Sequence, residues 1–224
     1  MQRRRVMLSA GERKRDYIKN GLVLWLDGID KGGNANAWTD LVSGFIFMAY
    51  GSVAFLQDHI HISNGGYLRN SGFLSPIASE STIEVVFNTD NPSTNQILYQ
   101  PSKANNGIMF SYSYSRRGII TSSAPSSAGT SAYTPMFRCD SGHGTYSASA
   151  DRGVQNGVNM PYVMDNGFTS FSNYNTIGKR DYQGSEYRYT GRIYCIRIYN
   201  RILSEDEAVQ NYNVDKLRFQ FIND

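Results

Sequence analysis

The stretches GLVLWLD at 21–27 and TGRIYCIRIYNRILSEDE at 190–207 decide the fold. Each contains a short run of bulky aliphatic and aromatic residues bounded by Gly or polar residues, a pattern typical of a β-strand. The second run is followed by Ser204, with Glu207 three positions later, which is the spacing of a helix capping box. We therefore predict a strand near each end of the chain and a helix of about ten residues that begins at 204.

The residues between these two stretches indicate an all-β protein. Short apolar or alternating runs are separated by clusters of Gly, Asn, Ser and Asp, which favour turns. The segments 122–135 and 140–150 are rich in small polar residues and are predicted to be loops or weak edge strands. The predicted strands are 22–26, 45–50, 58–62, 82–88, 96–100, 107–113, 117–121, 135–138, 161–165, 174–178 and 190–200.

The apolar patterns of two of these strands predict which of their faces are buried. The strict alternation in 82–88 predicts one buried face and one face that is mostly in contact with water. In 191–201 the apolar positions change parity between Ile193 and Ile196. Either a β-bulge shifts the register there, or both faces of that strand are covered.

Size and composition are those of a single globular domain. The chain has 224 residues, 40% of them hydrophobic, and no apolar run approaches the length of a membrane helix, so we expect a soluble protein. The apolar stretch after Met1 is too short for a secretory signal, so export by that route is not predicted. Cys139 and Cys195 are then expected to be free thiols in a reducing compartment, with a disulfide as the alternative.

Positive charge is concentrated at the N-terminus. Residues 1–20 carry seven basic and two acidic side chains, a net charge of +5, so the +3 of the whole chain leaves −2 for residues 21–224. We predict a basic arm at 1–20 followed by one domain at 21–224. The arm either meets an acidic partner or is a solvated tail. Its basic residues include Arg3, Arg4, Arg5, Arg13, Lys14 and Arg15.

The two terminal stretches resemble one known family. GLVLWLD, followed by WTDL at 38–41 and SG at 43–44, is similar to the opening of concanavalin A-like, laminin-G-like jelly-roll domains. The stretch 190–207 resembles the closing strand and helix of the same domains, so the resemblance spans 21 to about 219. It implies an antiparallel two-sheet jelly-roll sandwich with one short C-terminal helix and its first strand near its last.

The resemblance also implies that the bulky residues of both motifs are structural. Leu24, Trp25 and Ile198 are expected in the core. Trp38 could serve as a platform for a sugar, but its place in the motif favours a structural role.

Several functions are compatible with this family, which includes glycan binders, protein binders and some glycosidases. Similar openings occur in bacteriophage virion proteins. We therefore expect a non-enzymatic structural or adhesion module of fibre or decoration type, made in the cytoplasm and incorporated into a virion. Its arm would contact other structural proteins, and a homo-oligomer is expected. The alternatives are a lectin-like domain at a bacterial cell surface that binds glycans and, third, a divergent glycoside hydrolase.

No catalytic residues are predicted. The carboxylate pattern of retaining glucanases does not occur, and Glu80 and Glu84 would lie roughly 13 Å apart on one strand, too far for that mechanism. The histidines are His59, His61 and His143, and neither cysteine lies in a nucleophile motif. We therefore expect no enzymatic activity.

The abundance of tyrosine predicts a binding surface. The chain has 16 Tyr and 11 Phe, more than one core requires, so several rings should be exposed to glycans or partner proteins. A cross-strand tyrosine ladder on an exposed sheet is the structural alternative. The candidates are Tyr112 and Tyr114 on one predicted strand face, and Tyr182, Tyr187 and Tyr189 beside Lys179, Arg180 and Arg188.

Metal and nucleic-acid binding have weaker signals. Laminin-G-like sandwiches often hold a structural calcium at the rim, so the resemblance makes Asp27, Asp30 and Asp40 candidate ligands, although turn formation is the favoured explanation of these residues. His59 and His61 could hold zinc only if a third ligand approached. Nucleic acid is not expected as a partner, because the domain is slightly acidic and contains no recognition motif.

Overall fold

The structure is a computed structural model in which two large antiparallel sheets, a separate two-stranded hairpin and one helix are described. For the strands between 106 and 160, and for 180–182 and 185–187, only the backbone is described. The described residues are 16–33, 35–72, 82–90, 96–100, 106–111, 118–123, 136–138, 143–149, 153–155, 158–160, 175–182 and 185–219.

The elements follow the predicted strand-after-strand order. The strands are β1 (Leu22–Asp27), β2 (Ala37–Thr39), β3 (Ile46–Tyr50), β4 (Val53–Phe55), β5 (Ile60–Ile62), β6 (Tyr67–Asn70), β7 (Thr82–Thr89), β8 (Gln96–Gln100), β9 (Asn106–Ser111), β10 (Gly118–Ser123), β11 (Met136–Arg138), β12 (His143–Ser149), β13 (Gly153–Gln155), β14 (Val158–Met160), β15 (Asn175–Ile177), β16 (Lys179–Tyr182), β17 (Ser185–Arg188) and β18 (Gly191–Tyr199), and the helix is α1 (Glu205–Arg218).

The first sheet is organised around β18. Its strand order is β14-β13-β12-β7-β18-β5-β4, and β1 also pairs with β18. One edge of β18 pairs with β7 along its whole length, while its other edge is shared by β5 and β1. The first and last strands are therefore paired, as the family resemblance implied.

The second sheet has the order β11-β10-β9-β8-β15-β6-β3-β2. A separate hairpin, β16–β17, follows β15 directly. The two large sheets share one apolar core, to which Leu24, Val85 and Ile196 contribute from the first sheet and Phe47 and Leu68 from the second. The predicted all-β sandwich with one C-terminal helix is confirmed.

Helix α1 begins with the predicted capping box. The Ser204 hydroxyl accepts from the backbone N–H of Glu207, whose carboxylate accepts from the N–H of Ser204. The helix has 14 residues, longer than the expected ten, because its buried face continues to Val214 and Asp215. That face lies against the outer side of the first sheet, where Phe219 packs with Tyr194 and Cys195. No helix in the described ranges is long and apolar enough to span a membrane.

The helix explains why the prediction for 82–88 is wrong. All residues of β7 except Asn88 are buried, including Glu84, since α1 covers the face that was expected to be wet. Both alternatives for the last strand are correct. A β-bulge shifts its register against β7 between Ile193 and Cys195, and both faces are covered, because only Arg192 in β18 is exposed.

The prediction for 140–150 is also wrong. Residues 143–149 form β12, which lies inside the first sheet between β7 and β13. Small polar residues can occupy such a strand because its backbone pairs on both edges. Most of 122–135 and all of the predicted strand 161–165 lie outside the described residues.

The two tryptophans differ in burial. Trp38 is fully buried, and its indole N–H donates to the carbonyl of Asp27 at 2.8 Å, which excludes a sugar-platform role. Leu24 and Ile198 are in the core as expected. The expectation for Trp25 is wrong: it is half-buried on the outer side of the first sheet, with the Lys19 ammonium 3.7 Å from the centroid of its ring.

Residues 16–20, which the charge pattern groups with the arm, lie against the domain. The Tyr17 hydroxyl donates to Asp215 at 2.6 Å, and the backbone N–H of Ile18 donates to Asn211 at 2.9 Å. The basic residues predicted to form the assembly arm, between Arg3 and Arg15, lie outside the described residues.

Candidate functional site

The outer face of the second sheet exposes apolar side chains along β3. Ile46, Met48 and Tyr50 alternate outward and are 45%, 43% and 39% exposed, whereas Phe47 between them is fully buried. A surface strand ordinarily presents polar residues on its outer side. An exposed apolar row on a sheet is characteristic of a binding surface.

Two tyrosines from neighbouring strands form the centre of this face. Tyr50 at the end of β3 lies directly opposite Tyr67 at the start of β6. Their ring centroids are 5.0 Å apart and the ring planes differ by 12°, so the rings stack. Register places both side chains on the outer face, because their neighbours Ala49 and Leu68 face the core.

Three cations surround the stacked rings. The Arg69 guanidinium lies 5.5 Å from the centroid of the Tyr50 ring. The Lys179 ammonium lies 4.7 Å, and the Arg188 guanidinium 5.9 Å, from the centroid of the Tyr67 ring. Contacts at these distances are cation–π interactions. We call Tyr50, Tyr67, Arg69, Lys179 and Arg188 the tyrosine patch.

The hairpin β16–β17 brings two of these cations to the patch. Lys179 and Arg188 occupy directly opposite positions of the hairpin. Gly178 joins β15 to β16 at φ +82°, a left-handed conformation that favours glycine, and a Cβ there would lie 2.8 Å from Cδ1 of Ile62, so that side chain would have to move. Arg188 is held further by donation from Nη1 to the carbonyl of Gly65 at 3.3 Å.

Of the predicted binding residues, the structure places Arg188 in the tyrosine patch. Tyr182 and Tyr187 lie on the strands of the same hairpin, with Tyr187 opposite Arg180, but their side chains are outside the described part. Tyr189 is fully buried, with its hydroxyl 2.9 Å from two backbone carbonyls, so it does not belong to a surface. Tyr112 and Tyr114 lie outside the described residues.

Tyr50 and Tyr67 were missed at the sequence level. The alternation of FIFMAY at 45–50 contained the signal, since it puts Ile46, Met48 and Tyr50 on the face opposite Phe47. What the sequence did not indicate was the partner strand, because Tyr67 is 17 positions away and its register depends on sheet pairing.

A second polar cluster is buried beneath α1. The Arg197 side chain is 0% exposed; its Nε donates to Glu84 at 2.8 Å, and its two terminal nitrogens donate to Asp215 at 2.8 and 2.6 Å. The amide of Asn211 donates to Glu84 at 2.8 Å. Because every charged member is shielded from solvent, this cluster anchors the helix to the sheet rather than forming a ligand site.

Burial governs the ionisation of the groups in this cluster. It raises the pKa of Glu84, against the opposing attraction of Arg197. Burial disfavours the charge of Arg197, but Asp215 and Glu84 outweigh it and raise its pKa. Burial also raises the pKa of the free thiol of Cys195, which makes it a poor nucleophile. Cys139 is outside the described residues.

The aspartates considered for calcium hold loops together. Asp40 accepts from the backbone N–H groups of Trp25 and Val42 at 2.7 and 3.1 Å and from Ser43. Asp27 accepts from two backbone N–H groups of its own loop and forms an ion pair with Arg218.

Asp30 caps its own turn, accepting from a backbone N–H two positions on. Within the part of the chain whose side chains are described, no three His, Cys, Asp or Glu residues converge as a metal site. His59 and His61 each pair with a different aspartate, Asp58 at 2.6 Å and Asp90 at 2.7 Å.

Comparison with known proteins supports the fold. No protein-family model and no curated protein matches the sequence. Among solved structures, Trypanosoma rangeli sialidase in complex with the inhibitor DANA matches 92% of this chain with a TM-score of 0.61 and 13% identity. The match covers 34% of the sialidase chain, so the present chain spans about a third of that protein.

A second structure matches along nearly its whole length. Domain 4 of AbnA, a GH43 extracellular arabinanase from Geobacillus stearothermophilus, in complex with arabinotriose, has a TM-score of 0.58 and 13% identity. The match covers 85% of this chain and 98% of that domain. At these identities the comparisons establish a shared β-sandwich fold.

The comparisons correct the expectation that the chain is not an enzyme. Among the structures that share its fold are those of a sialidase and of a domain from a GH43 arabinanase. Absence of the glucanase carboxylate pattern is therefore no ground for excluding activity. The chain is a β-sandwich of a kind found in carbohydrate-related proteins.

Proposed function

We propose that this chain is a carbohydrate-binding domain of the concanavalin A-like superfamily and that the tyrosine patch is its binding surface. The stacked pair Tyr50 and Tyr67 carries the proposal, because it places aromatic surface beside the exposed apolar side chains of Ile46 and Met48 on the same strand face. Tyrosine offers sugars a large apolar area together with a hydroxyl, at little entropic cost.

The comparison with solved structures favours glycans over the other partners considered. The arabinanase domain, which matches over 98% of its length, was solved with arabinotriose. The virion role inferred from the family resemblance receives no support from these structural neighbours. A bacterial cell-surface location is the proposal that accompanies glycan binding. A homo-oligomer assembled through the basic arm is a separate proposal, which belonged to the virion role.

Binding to an oligosaccharide panel tests this function. Tyr50→Ala removes half of the stacked pair without touching the core, since Tyr50 is 39% exposed. Loss of about 1 kcal/mol of aromatic contact weakens binding about fivefold. Tyr212→Ala is the matched control, because Tyr212 is a half-buried tyrosine on α1 at the opposite side of the sandwich.

Retained binding in Tyr50→Ala, with the same melting temperature as the wild type, would show that the patch is not the site. Failure of every oligosaccharide to bind would overturn the proposal itself. The same polysaccharides should be assayed for release of reducing ends, because the fold is shared with enzyme structures.

A further inference from the structure

Exposed apolar side chains are concentrated in one stretch of the chain. Of the eight large apolar side chains that are exposed in the described part, five lie between Val42 and Tyr50. Ile46, Met48 and Tyr50 belong to β3 and lie on one side of the sheet, because Phe47 between them is fully buried. We call these three residues the apolar row. They form a contact surface that has a length and a direction along the strand.

The apolar row is longer than one sugar ring. Alternate residues of an antiparallel strand are about 7 Å apart, so the row runs about 14 Å from Ile46 to Tyr50, the length of about three sugar units in an extended chain. Tyr67 lies beside Tyr50 across the sheet, with 5.0 Å between the ring centroids, and widens the surface at that end. A disaccharide bound at the tyrosine pair would therefore leave Ile46 uncovered.

The row is bordered by short side chains toward the edge of the sheet. Ala37 and Thr39 on β2 lie directly opposite Met48 and Ile46, and β2 is the last strand of the second sheet. On the other side Arg69, a much longer side chain, lies opposite Met48. The row is thus a shelf that a chain molecule can reach from the edge of the sheet.

Glycines and a small residue border both ends of the row. The turn before Ile46 contains Gly44, where a Cβ would meet no atom within 4 Å. After Tyr50 the chain turns through Gly51 and Ser52, which are both exposed. A ligand longer than the row can therefore continue past it in both directions.

We propose that the site binds an internal segment of an extended, unbranched neutral glycan, about three units of which lie along the apolar row. This inference rests on the proposed carbohydrate-binding function and adds the shape and orientation of the ligand. A sugar whose hydroxyls are all equatorial has apolar C–H faces, which pack against Ile46 and Met48. Its hydroxyls extend sideways to water and to the hydroxyls of Tyr50 and Tyr67.

A glycan suits the size of this surface better than a second copy of the chain. A stable dimer buries about 800 Å² on each partner, several times what three side chains that are less than half exposed supply by themselves. A sugar chain needs only a narrow strip, because each of its units contacts one or two side chains. The row has the width of a single strand and the length of a short oligosaccharide.

A chain-length series tests this inference. The probes are cello-oligosaccharides from the disaccharide to the hexasaccharide, which are linear, neutral and extended, titrated calorimetrically into the full chain. We expect affinity to rise about tenfold or more up to the tetrasaccharide and to change less than about twofold beyond it, because further units lie past the row. Reduction of the terminal unit of the hexasaccharide to the alditol should leave its affinity unchanged, because an internal segment binds.

A variant at the far end of the row locates the glycan. Ile46→Ser should reduce the gain between disaccharide and tetrasaccharide to less than about threefold and leave the affinity of the disaccharide unchanged, because the disaccharide does not reach Ile46. Leu217→Ser is the matched control, since Leu217 is an exposed leucine on α1, at the opposite side of the sandwich. Unchanged melting temperatures would show that both variants remain folded.

The outcomes separate this inference from the proposed function. Equal affinities for the disaccharide and the hexasaccharide, both reduced by Tyr50→Ala, would overturn the inference and leave carbohydrate binding intact. Binding of other panel sugars but not of the cello-oligosaccharides would do the same. Failure of every oligosaccharide to bind would overturn both.

Two further results would place something other than a glycan chain on the row. A chain-length series that Ile46→Ser leaves unchanged would show that the glycan does not lie along β3. A dimer, detected by light scattering, that dissociates in Met48→Ser would assign the row to a second copy. Either result would overturn the inference.

Discussion

Replacement of Arg197 by methionine should test the role of the buried cluster most directly. The guanidinium is 0% exposed and joins Glu84 on β7 to Asp215 on α1. It also lies 4.1 Å from the centroid of the Tyr17 ring, so the same side chain contacts the segment that precedes β1. Methionine fills a similar volume but leaves two carboxylates buried without their cation.

Breaking a buried ion pair from one side costs about 3–5 kcal/mol, which is a large part of the 5–15 kcal/mol stability of an ordinary domain. For a chain of this size, the corresponding decrease in melting temperature is about 6–20 °C. Urea unfolding followed by tryptophan fluorescence would measure the loss. Arg192→Met is the control, because Arg192 is exposed on the same strand, and we expect its effect to remain within about 0.5 kcal/mol.

The loss should also depend on pH. Burial already raises the pKa of Glu84 in the folded protein, and removal of Arg197 raises it further. A carboxyl whose pKa is higher in the folded state binds more protons than in the unfolded state, so stability falls as pH rises above about 4.5. Arg197→Met should therefore be less destabilising at pH 5 than at pH 8. A loss below 1 kcal/mol, or a larger loss at pH 5, would refute the reasoning.

Three further predictions concern other parts of the chain. The Arg201 ion pair lowers the pKa of Glu207 to about 2, so Glu207→Gln should lower the free energy of unfolding by about 1 kcal/mol at neutral pH. This difference should disappear as pH falls from about 4.5 to 2, which urea unfolding across that range measures. Gly178→Ala should destabilise the hairpin junction by at least about 1 kcal/mol, because the backbone there is left-handed, and should weaken oligosaccharide binding at the tyrosine patch. Equal stability of the variant and wild type in urea unfolding would contradict this reasoning. Calcium or a chelator should leave the melting temperature unchanged, because the candidate aspartates already accept from backbone N–H groups. A rise of several degrees with calcium would contradict this reasoning.

The proposed role of the basic arm needs a different experiment. Deletion of residues 1–15 leaves Tyr17 and Ile18 in place. These two residues donate hydrogen bonds to Asp215 and Asn211 of α1. If the arm mediates self-assembly, light scattering should find an oligomer for the full chain and a monomer for the truncated one. The same oligomeric state for both chains would show that the arm does not mediate self-assembly.

Local signals in the sequence were sufficient for most of the elements. The short apolar runs in GLVLWLD and FIFMAY predicted strands, and the S-x-x-E spacing at 204–207 predicted the beginning of α1, because each pattern reflects interactions within a few residues. Strand 143–149 was missed because it carries no such local pattern. Its residues have weak intrinsic preference, and its place in the sheet comes from neighbouring strands.

The site and the buried cluster depend on contacts between distant residues. Arg197 meets Glu84 across 113 positions, and no local pattern distinguishes such a glutamate from a solvent-exposed one on an alternating strand. Tyr50 meets Tyr67 only because β3 and β6 pair in one particular register, and the Gly178 junction brings Lys179 to the same face. The sequence by itself determined the fold class, the elements near both ends and the cap of the helix. Tertiary structure decided which polar residues are buried and which aromatic and basic residues share a surface, because strand register and helix docking are set by the packing of the whole chain.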